Sequence, residues 1–192
     1  VLKKKNYLLD LKPYPIPSNT LIALSEYTNK PLCFKLFRLL SIFQLINHPW
    51  YKSANRIALY MSTDQEINTA PIISHIKARG ASAFVPQYAG GVMNMLLLEA
   101  DDEKNMFITR HGIAQHSKDQ KRENAVQSGG LDLVIAPGVA FSKSGDRCGH
   151  GGGYYDKFLA KLRSNPETAP KVPNEVPTNE QDQKVDAVIY AD

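Results

Sequence analysis

The stretch GDRCGHGGGYYD, residues 145–156, combines residue types that bind phosphate groups. Five of its first nine residues are glycines, which let the backbone approach an anion where a Cβ atom would collide. Arg147 supplies a guanidinium for phosphate oxygens, and Asp156 supplies a carboxylate of the kind that holds Mg²⁺ against phosphates. Tyr154 and Tyr155 can stack on a flat ligand or hydrogen-bond to it. The chemistry indicated is the binding of a phosphorylated ligand.

The same residues also fit purely structural roles. A glycine-rich loop is often only a flexible turn, and an aspartate in the first turn of a helix is favourable to the helix dipole. Of two adjacent tyrosines, one usually packs in the core. The spacing matches neither a Walker A loop nor a dinucleotide fingerprint. The residues alone therefore predict a phosphate-binding α/β protein and nothing more specific.

The elements that must position this loop include a predicted βαβ unit. RIALYM, residues 56–61, is a compact apolar run that predicts an interior strand. Thr69 is placed to be the N-cap of the following helix, and Gly80 is placed to end it. SAFVP, residues 82–86, predicts the next strand, which should run parallel to the first because the crossover is right-handed.

The remaining segments predict an α/β protein. Residues 32–47 predict a largely buried helix, because polar residues recur at every third position among large apolar ones. Further strands are predicted at 92–99, 105–109, 131–138 and 185–190, and further helices at 121–127 and 154–162. The predicted fold is a single three-layer domain in which helices flank a mostly parallel sheet. Residues 1–31 are expected to form an irregular N-terminal segment, and residues 32–192 the α/β domain.

Composition and charge narrow the choice of partners. The formal net charge of +4 and the pI of about 9.0 suit an anionic small molecule as ligand. The basic residues do not form the cluster that would indicate nucleic-acid binding. The most apolar run, residues 32–46, contains two basic residues and is too short to span a bilayer. Cys33 and Cys148 lie far apart and fit neither a disulfide framework nor a metal spacing. We therefore expect a cytoplasmic, monomeric protein that acts on a small molecule, without nucleic acid or membrane.

The glycine loop belongs to a longer stretch with a specific resemblance. SGGLDLVIAPGVAFSKSGDRCGHGGGYYDKFL, residues 128–159, resembles the signature of the 5-formyltetrahydrofolate cyclo-ligase family. RIALYMSTDQEINT, AFVPQY and DQKVDAVIY resemble other segments of the family, in the same order. The resemblance covers residues 37–162 and 180–190. Together these motifs are far more specific than a glycine loop alone.

This resemblance implies an enzyme that uses ATP and Mg²⁺ to convert 5-formyltetrahydrofolate into 5,10-methenyltetrahydrofolate, with release of ADP and phosphate. The formyl oxygen would attack the γ-phosphate, the neighbouring folate nitrogen would close the ring, and phosphate would leave. Phosphoryl transfer depends on positioning and charge neutralisation more than on a covalent nucleophile. The sequence accordingly shows no Ser-His-Asp or Cys-His set.

The resemblance also implies roles for the matched residues. The ATP-binding residues would be Arg147, Cys148, Gly149, His150, Gly151, Gly152, Gly153, Tyr154 and Tyr155. The substrate-binding residues would be Met61, Glu66, His150, Gly151, Gly152, Gly153 and Tyr154. The catalytic residues would be Arg147, Tyr154 and Tyr155, and the metal ligands would be Asp156 and Asp182. Glu66 would accept two hydrogen bonds from the pterin as a buried carboxylate. By themselves, Met61 fits the core, Glu66 a surface loop, and Asp182 a polar tail.

Four features depart from the family pattern. Ser142 stands where the family usually has aspartate, and residues 111–116, HGIAQH, keep only the isoleucine and glutamine of an N-I-x-E/Q-P segment. Residues 1–31 lack the family's K-x-x-L-R pattern, whose basic side chains reach ATP. The proline-rich residues 163–183 lack the strand expected before the closing segment, and the loss of an interior strand would leave backbone groups unpaired.

Two other functions therefore stay open. A catalytically impaired homologue would bind folate or nucleotide without turnover. A nucleotide-dependent enzyme for another substrate would keep the glycine loop while changing residues 111–116. Binding without turnover would select the first of these, and ATP turnover without folate would select the second.

Overall fold

The computed structural model describes residues 20–24, 34–142, 145–164, 183 and 185–189. The helices in these ranges are α1 (Phe34–Asn47), α2 (Pro49–Ser53), α3 (Ala70–Ala78), α4 (Asp102–Asn105) and α5 (Tyr154–Ser164), with a 3₁₀ turn at Ala125–Gln127. The strands are β1 (Thr20–Leu24), β2 (Arg56–Leu59), β3 (Ser82–Ala89), β4 (Val92–Leu97), β5 (Phe107–Ile108), β6 (Ala114–Gln115), β7 (Leu133–Ala136), β8 (Ala140–Phe141), β9 (Arg147–Cys148) and β10 (Ala187–Ile189).

Six of these strands form one sheet in the order β10-β1-β7-β2-β3-β4. The pairs along the sheet are parallel from β10 to β3, and β4 is antiparallel to β3. Gly90 and Gly91 join β3 to β4 with φ values of 59° and 78°, the positive angles that a tight hairpin turn requires. The predictions of a mostly parallel sheet and of a parallel βαβ unit are confirmed.

Side chains alternate along the central strands, so the sheet has an apolar face on each side. Ile57 and Leu59 of β2 pack on one side with residues of the N-terminal helices, among them Leu45 of α1. Ala58, between them in sequence, packs on the other side with residues of α5, among them Phe158. Helices therefore cover both faces, which confirms the predicted three-layer α/β fold.

Helix α1 lies where the sequence predicts a helix, but its faces differ from the prediction. Ser41 is 1% exposed, whereas Leu39 and Phe43 are 62% and 61% exposed. Residues three apart drift around a helix of 3.6 residues per turn, so polar residues at every third position do not share one face. The prediction of a largely buried helix is wrong for this outer side of α1. None of the helices that the structure describes is long and apolar enough to cross a membrane.

Helix α3 begins after Thr69, as predicted, but the Thr69 side chain does not cap it. Thr69 Oγ1 donates to Ser62 Oγ at 3.3 Å, and Asn68 Oδ1 instead accepts from Ala70 N at 3.0 Å. The hydroxyl is already engaged by the loop that follows β2, so it is not available to the helix. This bond attaches the loop between β2 and α3 to the start of the helix.

Strand β1 lies inside residues 1–31, where the sequence predicts no regular structure. It pairs in parallel with both β7 and β10, and Ile22 at its centre is fully buried. A five-residue apolar run shows no period of its own, and its place in the sheet depends on pairing with distant strands. Within the described residues, β1 occupies the position between β7 and β10 and pairs with both of these strands. Residues 165–182, where that strand is expected, lie outside the described residues.

Candidate active site

Three parallel strands end at one edge of the sheet and carry residues of the predicted site. Tyr60 and Met61 follow β2, Tyr88 lies near the end of β3, and Pro137 follows β7. The carboxyl ends of parallel strands form the edge at which α/β sheets bind ligands. The chain after β7 passes through the short β8–β9 hairpin into the glycine loop and then into α5. The predicted loop thus starts from the expected edge.

The β8–β9 hairpin holds the start of the glycine loop. Phe141 pairs with Arg147, and Ala140 pairs with Cys148. Ser142 Oγ donates to Asp146 Oδ2 at 2.6 Å and accepts from Asp146 N at 3.0 Å. Ser142, which replaces the aspartate of the family pattern, therefore lies against a carboxylate. The hairpin keeps a negative charge at this turn even though Ser142 carries none.

Gly145 is required where the hairpin meets the segment before β10. Its φ is 87°, and a Cβ atom there would lie 2.3 Å from the carbonyl oxygen of Val185. Val185 N donates to the carbonyl of Gly145 at 2.9 Å. Arg163 of α5 also donates from Nη1 to Gln183 Oε1 at 2.8 Å. These bonds attach the segment before β10 to both the hairpin and α5.

The glycine loop turns into α5 through residues with positive φ. Gly151 and Gly153 have φ values of 82° and 62°, which residues with a Cβ atom rarely adopt. Gly151 and Gly152 are exposed, as are the side chains of Cys148 and His150. The loop ends at the N-terminus of the 11-residue helix α5. An exposed glycine backbone at a helix N-terminus has the form of an anion-binding site.

Arg147 lies inside this loop, with only 5% of its side chain exposed. Its Nη2 donates to Asp156 Oδ1 at 2.6 Å, and its Nη1 donates to the Pro137 carbonyl at 3.3 Å. Its guanidinium carbon lies 5.6 Å from the centre of the Tyr155 ring. A Cβ atom at Gly149 would lie 2.9 Å from Nη1 and would displace the guanidinium. The structure thus brings together three of the predicted site residues, Arg147, Tyr155 and Asp156.

Two adjacent tyrosines of α5 face different surroundings. Tyr154 is 37% exposed and meets Tyr88 of β3 edge to face, with 5.0 Å between the ring centroids. Tyr155 is 5% exposed, and its hydroxyl has no hydrogen-bond partner among the described residues. Tyr154 therefore borders the open side of the site, while Tyr155 lies beneath the surface of the site.

Burial raises the pKa of two tyrosine phenols at the site. It raises the pKa of Tyr88 to about 12, and the nearby Glu66 and Tyr154 add to the rise. Burial also raises the pKa of Tyr155 well above its usual value, and Tyr88 adds to this effect although Arg147 opposes it. A phenol is already neutral at physiological pH at its usual pKa, so Tyr88 and Tyr155 can donate hydrogen bonds and ionise even less readily than an exposed tyrosine.

Glu66 lies in the loop between β2 and α3, close enough to act electrostatically on both phenols. Its Oε2 accepts from Thr63 N at 2.9 Å and from Thr63 Oγ1 at 3.0 Å. The residue is only partly buried, so the expectation of a buried carboxylate is wrong; in this loop Glu66 lies between the exposed Gln65 and the buried Ile67. Thr63 holds one oxygen in place, and the charge of the carboxylate acts on the two tyrosines Tyr88 and Tyr155.

The structure says less about two other predicted site residues, Met61 and Asp182. Met61 is partly buried and packs against the hydrophobic core. This position fits the alternative that Met61 is a core residue. Asp182 lies outside the described residues. Among the residues that the structure does describe, no three His, Cys, Asp or Glu side chains lie close enough together to hold a metal ion.

Sequence reasoning did not single out Tyr88, and it noted Gln115, which holds Tyr88, only as a position kept from the family pattern. Gln115 of β6 is 2% exposed; its Oε1 accepts from Tyr88 N at 3.0 Å, and its Nε2 donates to the Tyr88 carbonyl at 3.3 Å. His116 is fully buried, and its ring nitrogens have no partner within the described ranges. The place of Tyr88 at the carboxyl end of a predicted parallel strand is the signal that identifies it.

Comparisons with known proteins identify the relatives of this chain. Residues 41–191 match the model of the 5-formyltetrahydrofolate cyclo-ligase family. The chain belongs to this family. A Caenorhabditis elegans relative named probable 5-formyltetrahydrofolate cyclo-ligase is 36% identical over 160 residues, which cover 77% of this chain and 78% of the relative. The Mus musculus 5-formyltetrahydrofolate cyclo-ligase is 34% identical over 161 residues, which cover 78% of this chain and 79% of the relative.

Solved structures share the fold. The NMR structure of Aquifex aeolicus 5,10-methenyltetrahydrofolate synthetase has a TM-score of 0.58 at 22% identity, and the match covers 81% of this chain and 79% of that one. The Mycoplasma pneumoniae 5,10-methenyltetrahydrofolate synthetase has a TM-score of 0.56 at 17% identity, with 84% and 88% covered. The cyclo-ligase fold is thereby confirmed. The relatives are ligases by name, which confirms the predicted class of enzyme.

The candidate site has features that a metal–triphosphate ligand would fit. Arg147 Nε and the Tyr155 hydroxyl are buried without partners among the described residues, and such groups are normally satisfied by a ligand or water. The exposed glycine backbone and the N-terminus of α5 favour an anion. Asp156 in the first turn of α5 is a carboxylate of the kind that holds Mg²⁺ together with phosphate oxygens.

Proposed function

We propose that this chain is a 5-formyltetrahydrofolate cyclo-ligase that uses ATP and Mg²⁺ to form 5,10-methenyltetrahydrofolate, ADP and phosphate. The observation that carries the proposal is the grouping of Arg147, Tyr155 and Asp156 around a glycine loop at a helix N-terminus. Backbone N–H groups and the helix dipole bind anions at such a terminus. Membership of the cyclo-ligase family supports ATP as the anion and a folate as its partner.

The proposed reaction joins a phosphoryl transfer to a ring closure. The formyl oxygen attacks the γ-phosphorus of ATP, the bond from that phosphorus to the bridging oxygen breaks, and ADP leaves. The neighbouring folate nitrogen then attacks the activated formyl carbon and loses its proton. The bond from this carbon to the former formyl oxygen breaks, and that oxygen leaves as part of phosphate. No atom is oxidised or reduced.

The residues of the loop act by positioning and by neutralising charge. Arg147 binds oxygens of the transferred phosphoryl group, and the backbone N–H groups of residues 149–153 orient the phosphates. Tyr155 donates a hydrogen bond from its hydroxyl to a phosphate or formyl oxygen, and its raised pKa makes the phenol still harder to ionise. Cys148, His150 and Tyr154 border the exposed side, where the adenine nucleotide enters.

The folate binds on the side of the loop that faces β2 and β3. Glu66 accepts hydrogen bonds from the pterin amino and imino groups, while Thr63 fixes the carboxylate through Oε2. Met61 contacts the pterin from the end of β2. Tyr154, held edge to face by Tyr88, lies between the folate and the nucleotide. The glycines of residues 151–153 let the two substrates approach each other.

Asp156 and Asp182 are the proposed ligands of Mg²⁺. The ion supplies positive charge to the phosphate oxygens when it is bound. Asp156 lies in the first turn of α5, beside the loop that binds the phosphates. Asp182 precedes the segment that is attached to the hairpin through Val185 and Gly145. The cytoplasmic location, the monomeric state and the independence of nucleic acid remain predictions.

A second candidate function is binding of folate or nucleotide without turnover. Two departures from the family pattern favour it, and both lie next to the site. His116 is fully buried with no described partner for its ring, and Ser142 stands in place of an aspartate. Tight binding of ATP or folate by a protein that forms no product would support this candidate.

The proposed function is tested by a turnover assay on the purified chain. The assay mixes 5-formyltetrahydrofolate, ATP and Mg²⁺ and follows the methenyl product by its near-ultraviolet absorbance. Arg147→Gln should lower kcat/KM by about 100-fold or more, because a charge that stabilises the transition state is lost. Glu66→Gln should raise the KM for the folate by about tenfold.

Asp64→Asn is the matched control, because it removes an exposed carboxylate two residues from Glu66. It should leave the KM for the folate unchanged. If folded wild-type protein forms no product, the cyclo-ligase function is contradicted. If Asp64→Asn and Glu66→Gln raise KM equally, the assignment of Glu66 to the pterin is contradicted.

A further inference from the structure

The guanidinium of Arg147 lies where the glycine loop would receive an anion. Its contacts come from three sides: the Pro137 carbonyl after β7, the Tyr155 ring of α5, and the space that a Cβ atom at Gly149 would fill. The group therefore lies between the end of a strand and the start of a helix. In the free protein this cation lies where the fold favours a negative charge.

A cation beside a helix N-terminus is repelled by the helix dipole, so it needs a compensating charge. Asp156, in the first turn of the same helix, provides this charge through the 2.6 Å bond from Arg147 Nη2 to its Oδ1. The Arg147 side chain is 5% exposed and the Asp156 side chain is 30% exposed, so water weakens the pair only in part. The free protein thus neutralises its own anion site.

We propose that Asp156 makes the loop selective for a triphosphate that carries a divalent cation over the metal-free triphosphate. This inference rests on the proposed function. A metal-free triphosphate has to break the Arg147–Asp156 pair and then lies beside an uncompensated carboxylate. In a cation–triphosphate complex, the cation pairs with the Asp156 carboxylate and the phosphate oxygens pair with the Arg147 guanidinium. Neither side chain is then left with an unpaired charge. The ion pair is therefore a specificity determinant of the site as well as a structural contact.

The test measures binding rather than turnover. ATP is titrated calorimetrically into the wild type and into Asp156→Asn, once with excess EDTA and once with Mg²⁺. Asp156→Asn keeps the shape of the side chain but removes its charge and frees Arg147. It should bind metal-free ATP about tenfold more tightly than the wild type, since the lost pair is a coupled neighbour interaction. The same variant should lose most of the preference for the magnesium complex.

A double-mutant cycle with Arg147→Gln separates this mechanism from general repulsion between Asp156 and ATP. If Asp156 acts in part by holding Arg147, Asp156→Asn should give a clearly smaller gain for metal-free ATP in the Arg147→Gln background than in the wild-type background. An equal gain in both backgrounds would overturn the proposal. Asp119→Asn, a change of the same charge at an exposed loop residue, should not alter the affinity for metal-free ATP.

The outcomes separate this inference from the proposed function. If the wild type binds magnesium ATP but Asp156→Asn does not gain affinity for metal-free ATP, only the inference fails. If the folded wild type binds ATP in neither condition, the proposed function fails and the inference fails with it. Asp156 is partly exposed in the first turn of α5, so its amide variant is expected to fold. Its thermal unfolding should match that of the wild type within a few degrees.

Discussion

At the scale of single residues, the site contains buried polar atoms that have no hydrogen-bond partner among the described residues. The Tyr155 hydroxyl and Arg147 Nε are both of this kind. An unpaired buried polar group destabilises a folded protein, whereas a ligand that pairs with it gains affinity. The unpaired atoms therefore mark the positions at which stability and activity should respond in opposite directions.

Tyr155→Phe tests this opposition directly. Removal of an unpaired hydroxyl should leave the free energy of unfolding unchanged or raise it by up to about 1 kcal/mol. The same change should lower kcat/KM by about tenfold, because a donor to the substrates is lost. Urea denaturation and the methenyl absorbance assay measure the two quantities.

Tyr51→Phe is the matched control for the loss of a buried phenol hydroxyl. Tyr51 is fully buried, and its hydroxyl lies 2.9 Å from His75 Nδ1, so this change should destabilise the protein by about 1 kcal/mol. It lies outside the site and should leave kcat/KM unchanged. If Tyr155→Phe destabilises as Tyr51→Phe does and keeps full activity, the hydroxyl of Tyr155 has only a structural role.

The sequence predicts Arg147, Tyr155 and Asp156 as site residues, but it does not predict how they interact. Arg147 and Asp156 are assigned separate ligands from sequence, whereas the structure pairs them with each other. The pairing depends on the β8–β9 hairpin, which turns Arg147 back towards α5. Neither the hairpin nor the edge-to-face contact of Tyr88 follows from local residue patterns.

Among the elements, α1 and the segment after α4 show where local patterns mislead. In α1 the polar residues at every third position among large apolar ones predict a largely buried helix, but the helix buries Ser41 and exposes Leu39. The chain after α4 has few apolar residues, and the buried carboxylate of Asp102 attaches part of it to the protein. Asp102 accepts from Gln120 Nε2 at 2.8 Å and from Arg122 Nη2 at 2.6 Å. Residues 117–124 are attached to the protein by this carboxylate.

Asp102 should make stability depend on acid pH. Hydrogen bonds from Arg122 lower the pKa of Asp102 to about 2, against burial, which opposes the shift. Because the folded pKa lies below the unfolded one, this stabilisation is present above about pH 4 and is lost as pH falls towards 2. Asp102→Asn should lower the free energy of unfolding at pH 7 by about 2–3 kcal/mol. It should also remove the Asp102 part of the acid transition, measured by urea denaturation at several pH values.

Glu103→Gln is the control for Asp102→Asn. Glu103 is the next residue, but its side chain is 43% exposed and pairs with Lys77 at 3.2 Å. Exposed pairs of this kind contribute about 0–1 kcal/mol, so the change should have little effect at any pH. Equal effects of the two substitutions would contradict the role assigned to Asp102.

For the whole molecule, the sheet is the feature that the sequence predicts best. The βαβ unit, the strand before the glycine loop and the three-layer class all follow from apolar runs separated by turn residues. The position of β1 in the sheet does not follow from these local patterns. Its pairing with β7 and β10 depends on contacts across most of the chain. Local periodicity cannot report such long-range pairing.

Ile22→Ala tests whether β1 is part of the sheet. Ile22 is fully buried, so its truncation should lower the free energy of unfolding by about 3 kcal/mol, and Ile22→Val should cost about 1 kcal/mol. Ile108→Ala is the control, because Ile108 is 65% exposed and its loss should cost less than about 0.5 kcal/mol. If Ile22→Ala is as mild as Ile108→Ala in urea denaturation, the interior position of β1 is contradicted.

The most direct test of the whole account is to measure methenyl product and ADP in the same reaction of the purified chain. The account predicts that both form only when 5-formyltetrahydrofolate, ATP and Mg²⁺ are present together, in equal amounts. ADP without methenyl product would indicate a nucleotide-dependent enzyme for another substrate. Folded protein that forms neither would contradict the proposal that this member of the cyclo-ligase family is an active cyclo-ligase.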